Sequence, residues 1–554
     1  MTEKPAATPN AAPVIIVGGG PVGMNVAMNL DQLGVRSILI NDDRDARNFP
    51  KGGTQNCRTM EHYRRHGLAR DIRKLGLPFD YPTTVGYFTR VTDWELARIR
   101  MPSEAEKAAI VEDAPPTMQT PEPILRCNQM YVETLVLKHL ETRPNVDLRF
   151  GWTCVDFTDR GDSVSVEIEE IASGRREKLT GAYLVGCDGG QSFIRRGLAV
   201  RYGGAPPLSL AYYGGPMVNS YLRVPNFYSV VNRDRFWHYW TVNAAVRTNL
   251  VALDGGDKFV LSSKLRSAED KPDPNEIARQ FRAAFGAELD FEFLGHAPWV
   301  AGYAFVAERF ATGRVFLAGD AVHLFSPAGG FGMNTGVDDA ANLGWKLAAL
   351  VQGWGGPRLG ASYEMERKPV ATRNTLAGQN LARNIGNVPV GDAIEDDSPE
   401  GYAARAVAGK VLEKFGEEFA SIGVQLGARY DDSPIVISDG TAPPSDDPTV
   451  YVPSGCPGGR APHCRLTDRS SLFDRLGPGF TLLKLGHHRV DTRTIEYAAR
   501  ERRIPLTVLA VPEDYARDLY QADLALIRPD QHVAWRGNRL PEDCAALMAR
   551  VTGW

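Results

Sequence analysis

Three glycines near the start of the chain could hold a phosphate. Gly18-Gly19-Gly20-Pro21-Val22-Gly23 fits G-x-G-x-x-G. In that pattern Gly18 permits a tight turn, Gly20 lets a pyrophosphate approach the backbone, and Gly23 lets a helix pack on a strand. The flanks supply the elements that must position such a turn. Val14-Ile15-Ile16-Val17 is an apolar run expected of a buried parallel strand. Val22, Val26, Leu30 and Leu33 recur at helical spacing, Gly34 is placed to end the helix, and Val35 to Ile40 reads as a second strand. Strand, turn, helix and strand in this order aim a helix N-terminus at phosphates, so dinucleotide binding is expected. An acidic residue usually ends the second strand and binds ribose hydroxyls. Here Asn41 stands there, followed by Asp42 and Asp43. An amide can bond a hydroxyl and Asp42 can substitute; the two acids also suit a solvated turn.

A second chemical signal lies far downstream. Arg314 to His323 reads as a buried strand running into Gly319-Asp320. A glycine-rich loop follows, Pro327-Ala328-Gly329-Gly330-Phe331-Gly332-Met333-Asn334-Thr335-Gly336, and Val337 to Leu347 then reads as a helix. A third segment is Gly186-Cys187-Asp188-Gly189-Gly190-Gln191-Ser192-Phe193-Ile194-Arg195. The Gly-Asp stretch resembles the GD motif, and the third segment the DG motif, of the FAD-dependent aromatic hydroxylases (class A flavoprotein monooxygenases). Asn56-Cys57-Arg58-Thr59-Met60-Glu61 and the Gln129 of Asn128-Gln129-Met130 also resemble segments of that family.

The resemblance implies FAD as cofactor. It places Asp320 on the ribityl hydroxyls, and Asp188, Gln129, Pro327, Gly330, Gly332, Met333 and Asn334 around the flavin. It gives Arg58 the role of neutralising phosphate charge. The N-terminus of the helix after Gly336 would stabilise an anionic reduced ring. His323 reads as a hydrogen-bonded core histidine rather than a base.

Residues 197–308 alternate in polarity. Tyr221–Val224, Tyr228–Val231, Phe236–Trp240 and Asn249–Leu253 read as strands of a mostly antiparallel sheet. In the family such a sheet forms the substrate pocket, which makes His238 and Tyr239 the catalytic candidates and Trp240 a pocket candidate. Plain sheet packing fits these three residues equally well. Residues 390–450 are rich in Asp, Pro and Ser; a helical stretch, Tyr402–Ala420, precedes a linker. Pro457–His463 and Leu524–Arg536 resemble the C-terminal, thioredoxin-like domain of the larger phenol-hydroxylase-type members. Cys456 and Cys464 form no CxxC, so thiol redox chemistry is not expected. The expected fold is α/β: a Rossmann-like FAD-binding domain (13–195 and 309–395), an inserted, mostly antiparallel substrate domain (196–308), a helix and linker (396–445) and a thioredoxin-like domain (446–554).

Composition narrows the function. Lys and Arg number 63 and Asp and Glu 67, a formal charge of −4, which argues against a polyanion-binding surface. No uncharged apolar stretch is long enough for a bilayer, and the polar first twelve residues lack a signal-peptide pattern. Seven irregularly spaced cysteines suit reduced thiols in the cytoplasm rather than zinc or disulfides. No metal site, nucleic acid or membrane is expected. The resemblance implies hydroxylation of a small phenolic aromatic substrate by NAD(P)H and O2 through a flavin C(4a)-hydroperoxide. No second glycine motif is present for the nicotinamide, as suits a family without a separate nicotinamide domain. Baeyer–Villiger insertion, epoxidation, ipso-substitution and a non-catalytic flavoprotein sensor are the alternatives. The Trp-x-Trp-x-Ile-Pro segment of flavin halogenases is absent. Homodimerisation is left open.

Overall fold

A computed structural model describes residues 11–205, 215–265, 267, 271–301, 303–386, 388–487 and 490–554. Its first sheet has six strands, in the order Ala311–Thr312, Val315–Leu317, Tyr183–Gly186, Val14–Val17, Ser37–Asn41 and Val146–Phe150. All neighbours are parallel except the first pair. Val14–Val17 lies mid-sheet and is buried throughout, which is why its sequence is apolar rather than alternating. Helix Pro21–Gln32 follows the glycine turn and ends before Gly34, whose φ of +71° is left-handed. The second strand starts at Ser37, two residues later than expected.

The second sheet has seven strands, in the order Glu292–Ala301, Gly215–Arg223, Lys258–Lys264, Arg247–Ala252, His238–Val242, Val85–Phe88 and Glu95–Ile99. It is antiparallel except where His238–Val242 runs parallel to Val85–Phe88. Two strands therefore come from residues 85–99, outside the expected 196–308. Tyr228–Val231, expected as a strand, belongs to a short helix, Phe227–Val231. Phe227 is driven into an aromatic cluster with Tyr239, Phe259 and Phe285, which overrides the local β-preference. The helical stretch expected over Tyr402–Ala420 is two helices, Pro399–Glu413 and Gly416–Phe419, and the first is fixed by packing. Its Ala408 and Leu412, with Phe415 beyond it, pack into the core of this same sheet beside Tyr87 and Trp240.

The third sheet is C-terminal, in the order Leu506–Val511, Phe480–Leu485, Leu524–Ile527 and Val533–Gly537. Its first pair is parallel and the others antiparallel, and helices Arg493–Glu501 and Cys544–Val551 complete the thioredoxin-like arrangement. All seven cysteines are free. This domain docks on the first by apolar packing and by charge. Trp345 and Trp354 join Phe480, Ile495 and Met548 in one apolar cluster. Glu366, fully buried, meets Lys346 on its own side and Arg528 across the boundary. Among the described residues no helix is long and apolar enough to cross a membrane.

Candidate active site

A cleft of about 770 Å³ opens at the carboxyl ends of strands Val14–Val17 and Ser37–Asn41. Ligands of open α/β sheets bind in this position. Gly18 has φ +108°, and a Cβ there would lie 2.3 Å from the Cys187 carbonyl oxygen. A Cβ on Gly23 would lie 1.9 Å from the Gly18 carbonyl oxygen, so this glycine fixes helix against turn and does not face the cleft. Gly20 caps helix Pro21–Gln32, and a Cβ on it would meet no atom within 4 Å; that open space beside a helix N-terminus is what a pyrophosphate requires.

Asn41 lines the cleft, and its Oδ1 accepts the Gly19 N–H at 3.0 Å, so the amide holds the glycine turn. Asp42 lies at the exposed rim and accepts the Asp43 N–H. Asp188 also lines the cleft, but both its oxygens are committed, to Ser192 Oγ at 2.5 Å and to the Ile194 N–H at 3.0 Å. It thereby holds Ser192, the residue that caps the short helix Phe193–Gly197. Gln129 is on the wall and donates to Glu133 at 2.5 Å.

Asp320 faces the cleft from a turn in which Gly319 has φ +64°. The Tyr202 hydroxyl fixes this turn by donating to the Asp320 carbonyl at 2.5 Å. Behind it, Asp339 accepts from the Gly319 N–H at 3.2 Å, from His323 at 2.7 Å and from Arg367 at 2.7 Å. His323 is thus a buried structural partner. Pro327, Gly330, Gly332 and Met333 line the cleft. The expected loop through Gly336 is helical from Phe331, because Gly329 (φ +76°) and Gly330 (φ +65°) complete the reversal by themselves. The helix N-terminus therefore stands at the cleft, nearly two turns earlier than expected.

Four expectations are corrected. Arg58 does not reach the cleft: it donates to Glu61 at 3.0 Å, to Gln531 at 2.9 Å and to the Asp530 carbonyl, and lies 3.4 Å from Asp338. These partners, two of them from the C-terminal domain, claim the guanidinium. Asn334 is buried behind the wall, donating to the Thr54 and Gly330 carbonyls and accepting the Asn56 N–H. Tyr239 points to the opposite face of its sheet, among Phe88, Phe227 and Phe236, with its hydroxyl accepting the Phe236 N–H at 3.0 Å. His238 lies outside the cleft wall, its ring against Trp237. Burial, and then the charge of Arg126, pulls its pKa down to about 3, so it is neutral and a poor general base.

Sequence reasoning passed over Arg47, Lys51, Thr54, Phe325 and Tyr303, all on the wall. The two cations follow the second strand directly, where dinucleotide phosphates pass, and that position was their signal. Burial, and next Arg47, lowers the Lys51 ammonium pKa, while Asp320 acts in the opposite direction. The donor set fits FAD: an open helix N-terminus and two cations for the phosphates, a carboxylate for the ribityl chain, and a glycine-built wall for a flat ring.

A dinucleotide cleft, an antiparallel sheet beside it and a thioredoxin-like tail define a flavoprotein monooxygenase. A family model described as FAD binding domain matches residues 11–377, and one described as aromatic-ring hydroxylase, C-terminal, matches residues 454–554. The chain belongs to this family of FAD-dependent aromatic-ring hydroxylases. It is 31% identical to the FAD-dependent monooxygenase apdD of Emericella nidulans, over all of this chain and 92% of that protein. It is 27% identical to phenol 2-monooxygenase of a Pseudomonas species, over 96% of this chain and 90% of that protein. RebC with bound 7-carboxy-K252c superposes with a TM-score of 0.88 at 33% identity, covering 99% of this chain and 100% of that one. Aklavinone-11 hydroxylase with FAD and aklavinone superposes at 0.79 and 26%, covering 98% and 99%. FAD is the cofactor, and NAD(P)H is the usual reductant of such monooxygenases.

Proposed function

We propose that the enzyme hydroxylates a phenolic aromatic ring, consuming NAD(P)H and O2. One observation supports this reading above others. The glycine wall and helix N-terminus of the cleft abut an aromatic surface: a Cβ on Gly53 would lie 3.4 Å from Trp237, whose ring neighbours His238 and Phe419. A planar substrate ring would lie there, beside the flavin. Bound FAD would take hydride from NAD(P)H and supply activated oxygen to the ring. The chain's own residues do the rest. Asp320 holds the ribityl chain, Arg47 and Lys51 hold the phosphates, and the N–H groups of the first turn after Gly330 favour negative charge on the reduced cofactor. The aromatic wall orients the substrate and excludes water. Relatives named polyketide hydroxylase, and the ring systems named with RebC and aklavinone-11 hydroxylase, make fused-ring phenols the first to screen.

The test is anaerobic flavin reduction followed by exposure to labelled oxygen. A phenol that accelerates reduction and gains one oxygen from O2 supports the reading. Incorporation from water, or fast reduction that no phenol affects, refutes it. Ring expansion or loss of a substituent in the product would turn the reading to Baeyer–Villiger or ipso chemistry.

A further inference from the structure

Arg126 is 5% exposed and has no carboxylate within ion-pairing distance among the described residues. Several other buried arginines are ion-paired, among them Arg367 with Asp338 and Asp339, Arg460 with Glu61, and Arg528 with Glu366 and Asp530, and Arg195 instead donates to the Gly190 and Ala321 carbonyls. Arg126 donates to Thr54 Oγ1 at 2.7 Å and to Met101 Sδ at 3.5 Å, the second a weak acceptor. Its guanidinium lies 4.5 Å from the Trp237 ring centroid and 5.6 Å from that of Phe419. Burial pulls its pKa down to about 10, with the charge of Glu418 the first to oppose this. A buried cation without a counterion is costly, and proteins keep one where a ligand completes it.

The surroundings point to a ligand. Thr54, which holds Arg126, lies on the cleft wall and packs against Gly330. Glu418 accepts the Gly329 N–H through Oε1 at 3.0 Å, while its Oε2 is buried with no partner. Burial holds the Glu418 carboxyl above the usual range. His238 Nδ1 is likewise buried without a partner. One unfilled cation and two unfilled polar atoms thus converge around the Trp237 and Phe419 rings, at the glycine loop of the cleft.

We propose that Arg126 anchors an anionic oxygen of the aromatic substrate, a carboxylate or a phenolate, with the Glu418 carboxylic acid (Oε2–H) and the His238 Nδ1–H donating to it. The ring lies against Trp237 and Phe419. This rests on the hydroxylase reading for its substrate site. It sets specificity: a neutral hydrocarbon leaves the guanidinium unpaired, which such a site penalises.

The test uses the FAD-loaded enzyme and three probes of equal ring size: 2-naphthoate, 2-naphthol and naphthalene. Binding is read by tryptophan fluorescence. At least one oxygenated probe is expected to bind about tenfold or more tighter than naphthalene. Preference for 2-naphthoate identifies a carboxylate. Preference for 2-naphthol, with its absorbance shifted to the ionised form on binding, identifies a phenolate. Arg126→Met is expected to erase the preference and leave naphthalene affinity unchanged, and Arg126→Lys to keep part of it. Equal binding of all three by the parent, no binding of either oxygenated probe, or a preference that survives Arg126→Met overturns the proposal. The parent and Arg126→Lys decide the matter if Arg126→Met does not fold. The two readings fail separately. Arg126-dependent binding with no phenol accelerating flavin reduction removes the hydroxylase reading alone. Phenol-stimulated reduction unchanged in Arg126→Met removes the anchor alone.

Discussion

Replacing Arg460 by Met should unfasten the C-terminal domain from the flavin domain. Glu61 is fully buried on helix Cys57–Arg65, and Arg460 grips both its oxygens from across the domain boundary, one through Nε at 2.9 Å. Arg58 at 3.0 Å and Thr120 Oγ1 at 2.7 Å complete the carboxylate's shell. Burial alone would raise the Glu61 pKa; Arg460, then Arg58 and Thr120, reverse this and bring it to about 2 from an ordinary 4.5. At about 1.4 kcal/mol per unit, that shift corresponds to about 3–4 kcal/mol of stability. The sign follows from the depressed folded value. The contribution is full above about pH 4.5 and is lost as pH falls toward about 2. Arg460→Met removes the strongest partner and should cost about 3–5 kcal/mol at neutral pH, the usual penalty for stranding a buried charge. The acid-dependent loss should also shrink, because Glu61 without Arg460 is no longer held so far below its ordinary 4.5. Urea unfolding followed by tryptophan and flavin fluorescence measures both effects. The double variant with Glu61→Gln should recover part of the loss. A single variant within about 1 kcal/mol of the parent, or a double variant no more stable than the single, would refute the assignment.

Three further outcomes are expected. Gly20→Val should fold with little change in melting temperature, since its side chain meets open space, yet bind FAD at least about tenfold more weakly; full flavin occupancy after purification would contradict the phosphate path. Asp320→Ala should weaken FAD by about tenfold or more, through lost charge-assisted bonds of about 1.5–3 kcal/mol, and equilibrium dialysis against FAD measures this. Replacing Cys456 and Cys464 together by Ser should leave turnover intact at a modest cost in stability, since Cys464 sits in an apolar cluster; lost turnover in a folded variant would reveal a redox role.

Local signals in the sequence carried the cofactor side of the site. The glycine turn, the Gly319-Asp320 corner and the buried strands are each set by a few adjacent residues, so periodicity and turn chemistry expose them. What escaped depends on partners distant in the chain. Arg58 looks like a phosphate ligand until Gln531 and the Asp530 carbonyl arrive from the other end of the protein. Tyr239 and His238 alternate along one strand, and only the packing of helices on that sheet decides which face is core. The strands at residues 85–99 are too short to advertise a sheet whose other members lie far along the chain. Pro399–Glu413 reads as a helix, but nothing in its own sequence says that it packs into the core of the antiparallel sheet.

The pairing of Glu61 with Arg460 and of Glu366 with Arg528 also sets the order in which the molecule can be finished. Glu61 is separated from Arg460 by 399 residues. At about 5–20 residues per second, a ribosome needs roughly 20–80 s to deliver the guanidinium after the carboxylate has emerged. Throughout that interval a nascent flavin domain that closed fully would hold each acid with only part of its charge shell, Arg58 at Glu61 and Lys346 at Glu366. The charge shells of helix Cys57–Arg65 and of the Glu366 turn of helix Pro357–Gly386 are therefore complete only after the thioredoxin-like tail has left the exit tunnel. The tail thus supplies the last counterions of a core that the flavin domain does not complete by itself. It brings Arg528 to Glu366, and the Trp554 indole donates to the Trp354 carbonyl at 3.1 Å.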